Sequence, residues 1–442
     1  MWIAAMLLYV FSDAPADTGL RRLPFETHQL ANGLTVILHE DHSTPIVTVN
    51  VVYRVGSRDE SPHRTGFAHL FEHFMFEGSP NAPGNTFDRL LQEAGGENNA
   101  YTTLDYTSYF ETLPAHQLEL ALFLEADRMR MLDFSEENLA NQRAVVQEEY
   151  RQSYLNRPYG QAYLRILPLA FRVHPYRWPT IGATLEHIAQ ATLEEVKEFF
   201  FRYYRPNNAA LIIAGDIDPK QVKELVARYF GDIPRGPELV RSYPEEPPQE
   251  EERIETFYDP ASPLPAVLYA YKIPGVAHPD YPALEFLTEA LAGGKSSRLY
   301  QRLVYEKQLA LNVGAYTLET VDPGLLILQV VAAPGKQLED VLPALEEELE
   351  RLRRDGVTAE ELEKIRNRYE TQLYQGRQTT RGKADELARA WAQLGDPEAV
   401  NSRPMDYLRL RPEDLQRAAQ RYLVPQRRSV LHYLPGSDKA GE

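Results

Sequence analysis

The chain has 442 residues, of which 43% are hydrophobic and 25% are charged, and these proportions are typical of folded globular proteins and exclude wholesale disorder and a bundle of membrane spans. A net charge of −17 repels phosphate backbones, so we expect no nucleic-acid partner. The absence of cysteine excludes disulfides, thiolate metal ligands and thiol nucleophiles, and it leaves His, Asp and Glu as candidate metal ligands.

The N-terminal segment, residues 1–19, is predicted to be an extension or a signal-like segment. Residues 2–11 form an apolar run, and Ala14-Pro15-Ala16 after it resembles a small-residue cleavage site. The run is too short to span a bilayer, and no Lys or Arg precedes it. We therefore expect no membrane span and favour export, with a periplasmic location, over the cytoplasmic alternative.

The elements that follow predict an α+β fold. After an Asn32-Gly33 turn signal, the β-branched runs 35–38 and 46–55 are predicted to be antiparallel strands. Apolar spacings of three and four residues then predict helices at 65–78, 84–94, 115–132, 135–154 and 192–204, with a short strand at 209–214. The order does not alternate strand and helix, which excludes a parallel βαβ architecture.

An internal repeat predicts two similar halves, each an antiparallel sheet packed with helices. The segment 192–216 resembles the segment 411–436, which lies 219 positions later, with a helix, an Arg-Tyr pair, a Pro and a closing strand in common. Between the halves, residues 237–252 are rich in Pro and Glu and lack apolar periodicity, so they are predicted to be an exposed linker. The predicted domains are therefore 20–236 and 253–442.

The segment 66–78 carries the decisive chemistry. As a helix it has one apolar stripe, formed by Phe67, Leu70, Phe71, Phe74 and Met75. His69 and His73 lie one turn apart on the other side, so both imidazoles can reach one ion. Glu72 points into the same space and is placed to accept a proton from water. The alternative is an amphipathic helix whose polar face carries these residues by chance, which composition makes rare.

A third ligand is predicted on the helix 135–154, which begins at Ser135 as N-cap. Its apolar face contains Leu139, Val145 and Val146. Glu149 projects from that face, where a carboxylate is costly unless it is paired or binds metal. Glu148 is offset toward solvent, although a register error of one residue would exchange the two.

The sequence His69-Leu70-Phe71-Glu72-His73 is the inverted zinc-protease motif. With Glu149 following 76 residues after His73, and with the segment 95–114, the chain resembles the pitrilysin/insulinase family of zinc metallopeptidases, in its bacterial processing-peptidase-like branch. The resemblance spans nearly the whole chain. It implies one zinc ion per chain, held by His69, His73 and Glu149, with Glu72 as the general base. The first half would then be the zinc-binding catalytic domain and the second a non-catalytic homologous domain.

The resemblance also implies supporting residues. Gln142 stands where the family has a second acidic residue, so it can hydrogen-bond a ligand but adds no charge. Asn99, Ala100 and Tyr101 match an edge strand that pairs with the backbone of the peptide substrate, although an ordinary hairpin edge would look the same.

The second half is expected to bind no zinc, because the positions that match the motif hold Leu284, Leu287 and Thr288. The family also has an Arg and a Tyr there, which hold the substrate carbonyl, and the matching positions are Val304 and Leu311. Arg298 and Tyr305 have the same spacing but lie six residues too early.

The sequence therefore predicts a zinc-dependent endopeptidase that cleaves extended peptides or unfolded polypeptides. It is expected to be the zinc-bearing subunit of a heterodimer, in which a related subunit supplies the missing Arg and Tyr in trans, with a homodimer as the alternative. The competing function is a non-catalytic structural subunit of a larger complex.

Overall fold

The computed structural model describes residues 20–436. The extension or signal-like segment at 1–19 lies outside these residues, so export stays a prediction. Among the described helices, none combines the length and the apolar character needed to cross a membrane.

In the described part of the first half, seven strands and two helices alternate in groups up to residue 114, and five helices, one strand and a last helix follow. Its strands are β1 Glu26–Gln29, β2 Thr35–Glu40, β3 Ile46–Tyr53, β4 Gly78–Ser79, β5 Ala82–Pro83, β6 Glu97–Thr102, β7 Thr107–Pro114 and β8 Ala209–Gly215. Its helices are α1 Phe67–Phe74, α2 Thr86–Glu93, α3 Leu118–Arg130, α4 Glu136–Tyr150, α5 Ala162–Ala170, α6 Leu185–Ala189, α7 Leu193–Tyr203 and α8 Pro219–Phe230.

The second half follows the same plan. Its strands are β9 Arg253–Asp259, β10 Ala266–Ile273, β11 Ala310–Thr317, β12 Gly324–Ala332 and β13 Arg428–Pro435. Its helices are α9 Tyr281–Ala292, α10 Leu338–Asp355, α11 Ala359–Gly376, α12 Thr380–Arg389, α13 Ala399–Ser402, α14 Pro404–Leu408 and α15 Pro412–Tyr422.

Each half has one main sheet. The strand order is β1-β2-β8-β3-β7-β6 in the first half and β11-β12-β10-β13-β9 in the second. Every pair is antiparallel except β2 with β8 and β9 with β13. The predicted α+β fold of two similar sheet-and-helix halves is confirmed, with one parallel pair in each sheet that the sequence reasoning did not foresee.

The repeat is visible in the elements themselves. Helices α7 and α15 begin and end 219 residues apart, and each is followed by an inner strand of its sheet. A capping box explains why α7 begins where it does: Thr192 Oγ1 accepts the N–H of Glu195 at 3.3 Å, and the Glu195 carboxylate accepts the N–H of Thr192 at 2.9 Å.

The two halves interlock through two helices. The helices of each half cover one face of its own sheet, and the opposite face is covered by a helix of the other half. Helix α12 packs against β3 and β8 of the first sheet, and α5 packs against β13 and β10 of the second. The halves therefore share hydrophobic cores and are held in one arrangement.

The segment 237–252 contains neither helix nor strand and is tied down at several points. The hydroxyl of Tyr243 donates to Asp59 at 2.7 Å. The Glu246 carboxylate accepts the backbone N–H groups of residues 172–174 at 2.9–3.1 Å. A connection anchored in this way fixes the path between the halves, while the domain boundaries predicted from the sequence remain predictions.

Candidate metal centre

The start of helix α1 is fixed by Gly66, which has a left-handed backbone conformation, and by the buried carboxylate of Glu60. Gly66 has φ +87°, and a Cβ there would lie 2.7 Å from the carbonyl oxygen of Ile181. Glu60 accepts the N–H groups of Gly66 and Ala68 at 2.9 and 2.8 Å, which satisfies donors of the first turn. The predicted apolar residues of the helix are all buried: Phe67, Leu70, Phe71, Phe74 and, at its end, Met75. The opposite side then faces α4 and β6.

That side brings together the side chains that the motif predicts. Oε2 of Glu149, on α4, lies 3.7 Å from Nε2 of His69 and 3.5 Å from Nε2 of His73. The two imidazole rings are edge to face, with centroids 4.8 Å apart. Within residues 20–436 this is the one group of three or more His, Asp or Glu side chains whose ligand atoms converge closely enough for a metal ion.

The geometry of the three atoms fits zinc. Ligand atoms at 2.0–2.1 Å from a tetrahedral ion are about 3.4 Å from one another, and the two distances from Glu149 are close to this value. Two imidazole nitrogens and one carboxylate oxygen are ligands that catalytic zinc prefers. Residues His69, His73 and Glu149 could therefore hold such an ion and leave a fourth position open.

The electrostatics of the three residues follow from their burial. Burial lowers the pKa of His69 to about 4, against the opposing charge of Glu149, so this imidazole is neutral at pH 7. Burial also acts against a charged His73, but Glu149, Glu72 and Gln142 outweigh it and raise its pKa. The hydrogen bond from His73, together with both histidine charges, lowers the pKa of Glu149.

Glu72 lies beside the three residues without joining them as a ligand. Burial raises its pKa, while the hydrogen bond from Thr102 and the charge of His73 oppose the shift. The hydroxyl of Thr102, at the end of β6, donates to Oε2 of Glu72. A partly buried carboxylate whose pKa is raised and whose orientation is fixed at one oxygen suits general base catalysis.

The contacts of Glu148 and Glu149 show which of the two is the candidate metal ligand. Glu148 accepts a hydrogen bond from Gln152 at 2.8 Å and lies 3.4 Å from Arg151, on the exposed side of the helix. Val145, which the sequence analysis assigns to the apolar face, is 47% exposed, so that assignment is wrong. The buried residues of α4 are Leu139, Val146 and Tyr150.

Gln142 lies close to His73 but is not one of the three candidate ligands. Its amide nitrogen donates to the carboxylate of Glu77, which lies three residues after the end of α1 and was not anticipated from the sequence. Gln142 itself adds no charge, as expected, but the carboxylate of Glu77 lies in contact with its amide.

The three residues of the predicted substrate strand lie on β6, an edge strand that pairs with β7. The N–H of Ala100 donates to Oδ1 of Asn99 at 2.8 Å, so the Asn99 side chain must move before that N–H can bind a peptide. The ring of Tyr101 packs with Tyr106 and Phe110, with centroids 5.9 and 6.4 Å apart. Tyr101 belongs to the core beneath α12 and does not join the metal residues.

Within residues 253–436 the second half has no counterpart of the metal set, and Arg298 of the Arg298 and Tyr305 pair is already bound. Leu284, Leu287 and Thr288 are buried in α9. Arg298 is bound to Glu361 at 2.8 Å and to the carbonyl of Gly356 at 2.8 Å.

Of the other positions considered for the pair, Tyr305 and Leu311 are 72% and 57% exposed, and Val304 packs against the second core.

Comparison with known proteins gives a consistent picture. The family described as insulinase (peptidase family M16) matches residues 35–179, and the peptidase M16 inactive domain matches residues 190–369. The zinc protease PqqE of Helicobacter pylori is 30% identical over 413 residues, which cover 93% of each protein. The crystal structure of a protease from Helicobacter pylori, 30% identical, covers 94% of this chain and 100% of that chain with a TM-score of 0.89.

A third similarity shows the fold alone. The first half of the periplasmic protease PqqL from Escherichia coli is 22% identical, and it covers 93% of this chain and 92% of that chain with a TM-score of 0.76.

Proposed function

The chain belongs to peptidase family M16, and on that premise we propose that it is a zinc-dependent endopeptidase with one zinc ion per chain. The observation that carries the proposal is the convergence of His69, His73 and Glu149, with Glu72 beside them. Zinc, when bound there, supplies a Lewis acid that polarises the peptide carbonyl and acidifies water.

The side chains of the site carry out proton transfer and orient the groups that take part in it. Glu72 accepts the proton of the attacking water and delivers it to the leaving amine. Thr102 holds Oε2 of Glu72, which leaves the other carboxylate oxygen for the proton. Gln142 and Glu77 support the histidine side of the site.

The substrate class follows from β6. An edge strand binds a peptide through main-chain hydrogen bonds, which require an extended backbone and read few side chains. We therefore propose that the substrates are extended peptides or unfolded polypeptides. A folded protein would first have to expose such a segment.

We further propose that the chain works as the zinc-bearing subunit of a heterodimer. Val304 and Leu311 offer no hydrogen bond to a developing oxyanion, and Arg298 is already bound within its own half. Losing one such donor typically lowers turnover about 10²- to 10³-fold. A related subunit could supply an Arg and a Tyr in trans. Assays of the chain alone, and with a similar protein from a neighbouring gene, separate this from a homodimer that needs no second gene product.

The competing function is a non-catalytic structural subunit. The match to the inactive domain covers residues 190–369, outside the segment that carries the metal residues, so it does not weigh against them. The test is hydrolysis of a quenched peptide library by the zinc-supplied chain, with its candidate partner, with and without a chelator. Chelator-sensitive cleavage supports the enzyme, and no cleavage under any condition supports the structural subunit.

A further inference from the structure

A cavity of about 670 Å³ lies mainly in the second half, between helices α9, α11, α12 and α14. Its volume is within the range of cavities that bury small-molecule ligands. Tyr101 and Tyr106 of the first half complete one wall, and none of the three candidate metal ligands belongs to the lining. The cavity is therefore distinct from the candidate metal centre, and the proposed peptidase reaction does not use it.

Seven charged side chains line this cavity, and five of them have an ion-pair partner. The pairs are Arg377 with Glu386 at 2.8 Å, Arg389 with Glu319 at 3.5 Å, and Asp385 with Arg381, outside the lining, at 3.5 Å. The other two are Glu285 and Arg403, and neither forms an ion pair with any residue between 20 and 436. One carboxylate and one guanidinium thus remain without a partner of opposite charge.

The carboxylate of Glu285, on α9, has one oxygen that is free to bind a ligand. Its Oε2 accepts the hydroxyl of Tyr407 at 2.7 Å, while its Oε1 accepts no hydrogen bond from the described residues. Burial raises the pKa of Glu285, and the charge of Glu319 adds to the shift. A carboxylate in such surroundings is costly without a cation, so a cationic ligand group would be bound favourably at Oε1.

Arg403 provides the positive charge of the cavity that has no counter-ion. Its Nη1 donates to the carbonyl oxygen of Val276 at 2.6 Å, and this is the one hydrogen bond that its guanidinium makes within the described part of the chain. The charge of Arg403 acts against the rise in the pKa of Glu285, so the two side chains lie close together although they form no ion pair. The remaining N–H donors suit a ligand carboxylate, which a planar guanidinium can bind through two parallel hydrogen bonds.

The uncharged part of the wall is mainly aromatic and apolar. The rings of Tyr369 and Tyr407 stack with their centroids 4.5 Å apart and their planes at 14°. The hydroxyl of Tyr281 is hydrogen-bonded to Thr317 at 2.9 Å, so its polar end is satisfied. The apolar side chains of the wall include Val276, Leu373, Leu394 and Val400. Burial of an aromatic or aliphatic part of a ligand against these groups is favourable.

We propose that this cavity binds a free α-amino acid with an aromatic or branched aliphatic side chain, its ammonium group at Glu285 and its carboxylate at Arg403. The two unpaired charges of the cavity have opposite signs and lie close together, and an amino acid carries the same two charges on one small molecule. A simple amine would leave Arg403 unpaired, and a simple carboxylic acid would leave Glu285 unpaired, so each would bind less tightly. This site goes beyond the proposed function and requires neither zinc nor turnover.

The first test is isothermal titration calorimetry of the full-length chain, treated with a chelator, with L-phenylalanine and with L-leucine. Two analogues of phenylalanine each lack one charge: phenethylamine has no carboxylate, and hydrocinnamate has no ammonium group. Phenylalanine should bind about 10- to 100-fold more tightly than either analogue. Equal affinity for the three compounds, or no binding of either amino acid, overturns the proposal. Tighter binding of the dipeptide glycyl-phenylalanine than of phenylalanine overturns the assignment to free amino acids.

Two variants that each remove one charge locate the groups that bind the ligand. Glu285→Gln can still accept the hydroxyl of Tyr407, but it should weaken the binding of phenylalanine about 10- to 100-fold without weakening that of hydrocinnamate. Arg403→Gln should weaken the binding of phenylalanine to a similar extent without weakening that of phenethylamine. The matched controls, Glu363→Gln and Arg409→Gln, change exposed side chains of the same half and should leave every affinity unchanged. An equal loss in the controls, or no loss in Glu285→Gln, overturns the proposal.

Thermal unfolding shows whether a variant is folded and gives an independent readout. Without ligand, Glu285→Gln should unfold at the temperature of the wild type or above it, because the change removes an unpaired buried charge. This variant therefore decides the matter if Arg403→Gln does not fold. Phenylalanine should raise the unfolding temperature of the wild type and not that of Glu285→Gln, because a ligand stabilises the folded state that binds it. An equal rise in both proteins overturns the proposal.

Discussion

The hydroxyl of Thr102 donates a hydrogen bond to Oε2 of Glu72, and it thereby joins the open edge strand β6 to the helix that carries both histidines. The strand expected to align the substrate is thus the same strand that orients the proposed general base. Alignment of the peptide and orientation of the base are therefore coupled by one contact.

Removal of this contact should lower turnover more than substrate affinity. Thr102→Val keeps the shape of the side chain but leaves Glu72 without its donor, and we expect kcat to fall about tenfold or more with KM little changed. Thr102→Ser keeps the hydroxyl and should restore most of kcat. Steady-state kinetics that show an equal loss in both variants would refute the orienting role.

Zinc affinity should distinguish the two adjacent glutamates of α4. Glu149→Gln removes an anionic oxygen from the centre and should weaken zinc binding by roughly a hundredfold or more. Glu148→Gln should have little effect, because that side chain contacts Gln152 and Arg151 instead. Titration against a competing chelator gives both values, and the reverse order would show that the wrong glutamate has been assigned.

The ion pairs of Arg58 with Asp105 of the first half and Asp322 of the second should make a large contribution to stability. The side chains of Arg58 and Asp105 are only 9% and 1% exposed, so Arg58→Met leaves a buried carboxylate without its partner. Such a loss typically costs about 3–5 kcal/mol. Urea unfolding should show a decrease in unfolding free energy of this size. A decrease under about 1 kcal/mol would mean that the ion pairs of Arg58 do not form in solution.

Lys272 should make a contribution to stability that grows as the pH rises above neutrality. Burial lowers its pKa from 10.5 to about 8, against the attraction of Glu246 at 3.5 Å. Between these pH values the side chain of Lys272 binds the proton in the unfolded chain and not in the folded chain, so its contribution to the unfolding free energy increases with pH across that window, by about 3 kcal/mol in total.

The control for this pH dependence is Lys272→Met. Relative to this variant, the wild type should gain unfolding free energy as the pH rises from 7.5 to 9 and 10.5. Parallel curves for the two proteins would show that Lys272 keeps an ordinary pKa.

The sequence predicted the parts of the site that depend on helical spacing. His69, Glu72 and His73 follow from the period of one helix, and that helix lies as expected. Glu149 lies beside the histidines although Val145 is exposed, because Val146 and Tyr150 still define the buried side of α4. Such local patterns need no knowledge of other elements.

Contacts between distant segments could not be predicted in this way. Thr102 and Glu77 reach the site only through the packing of β6 and α4 against α1, and neither residue has a local pattern that indicates a partner. The packing of α12, from the second half, on the far face of the first sheet is indicated by the sequence. Strand β8 is apolar on both faces, and a continuous apolar run indicates a strand that is covered on both sides.

The most direct test of the account is to measure bound zinc and turnover together in the Glu72→Gln chain and the wild type, each with its candidate partner. We expect about one zinc ion per chain in both proteins and a loss of turnover of about 10²- to 10⁴-fold or more in the variant, because the change removes a proton carrier and not a ligand. Full turnover in Glu72→Gln, or a wild-type chain that binds no zinc, would contradict the account.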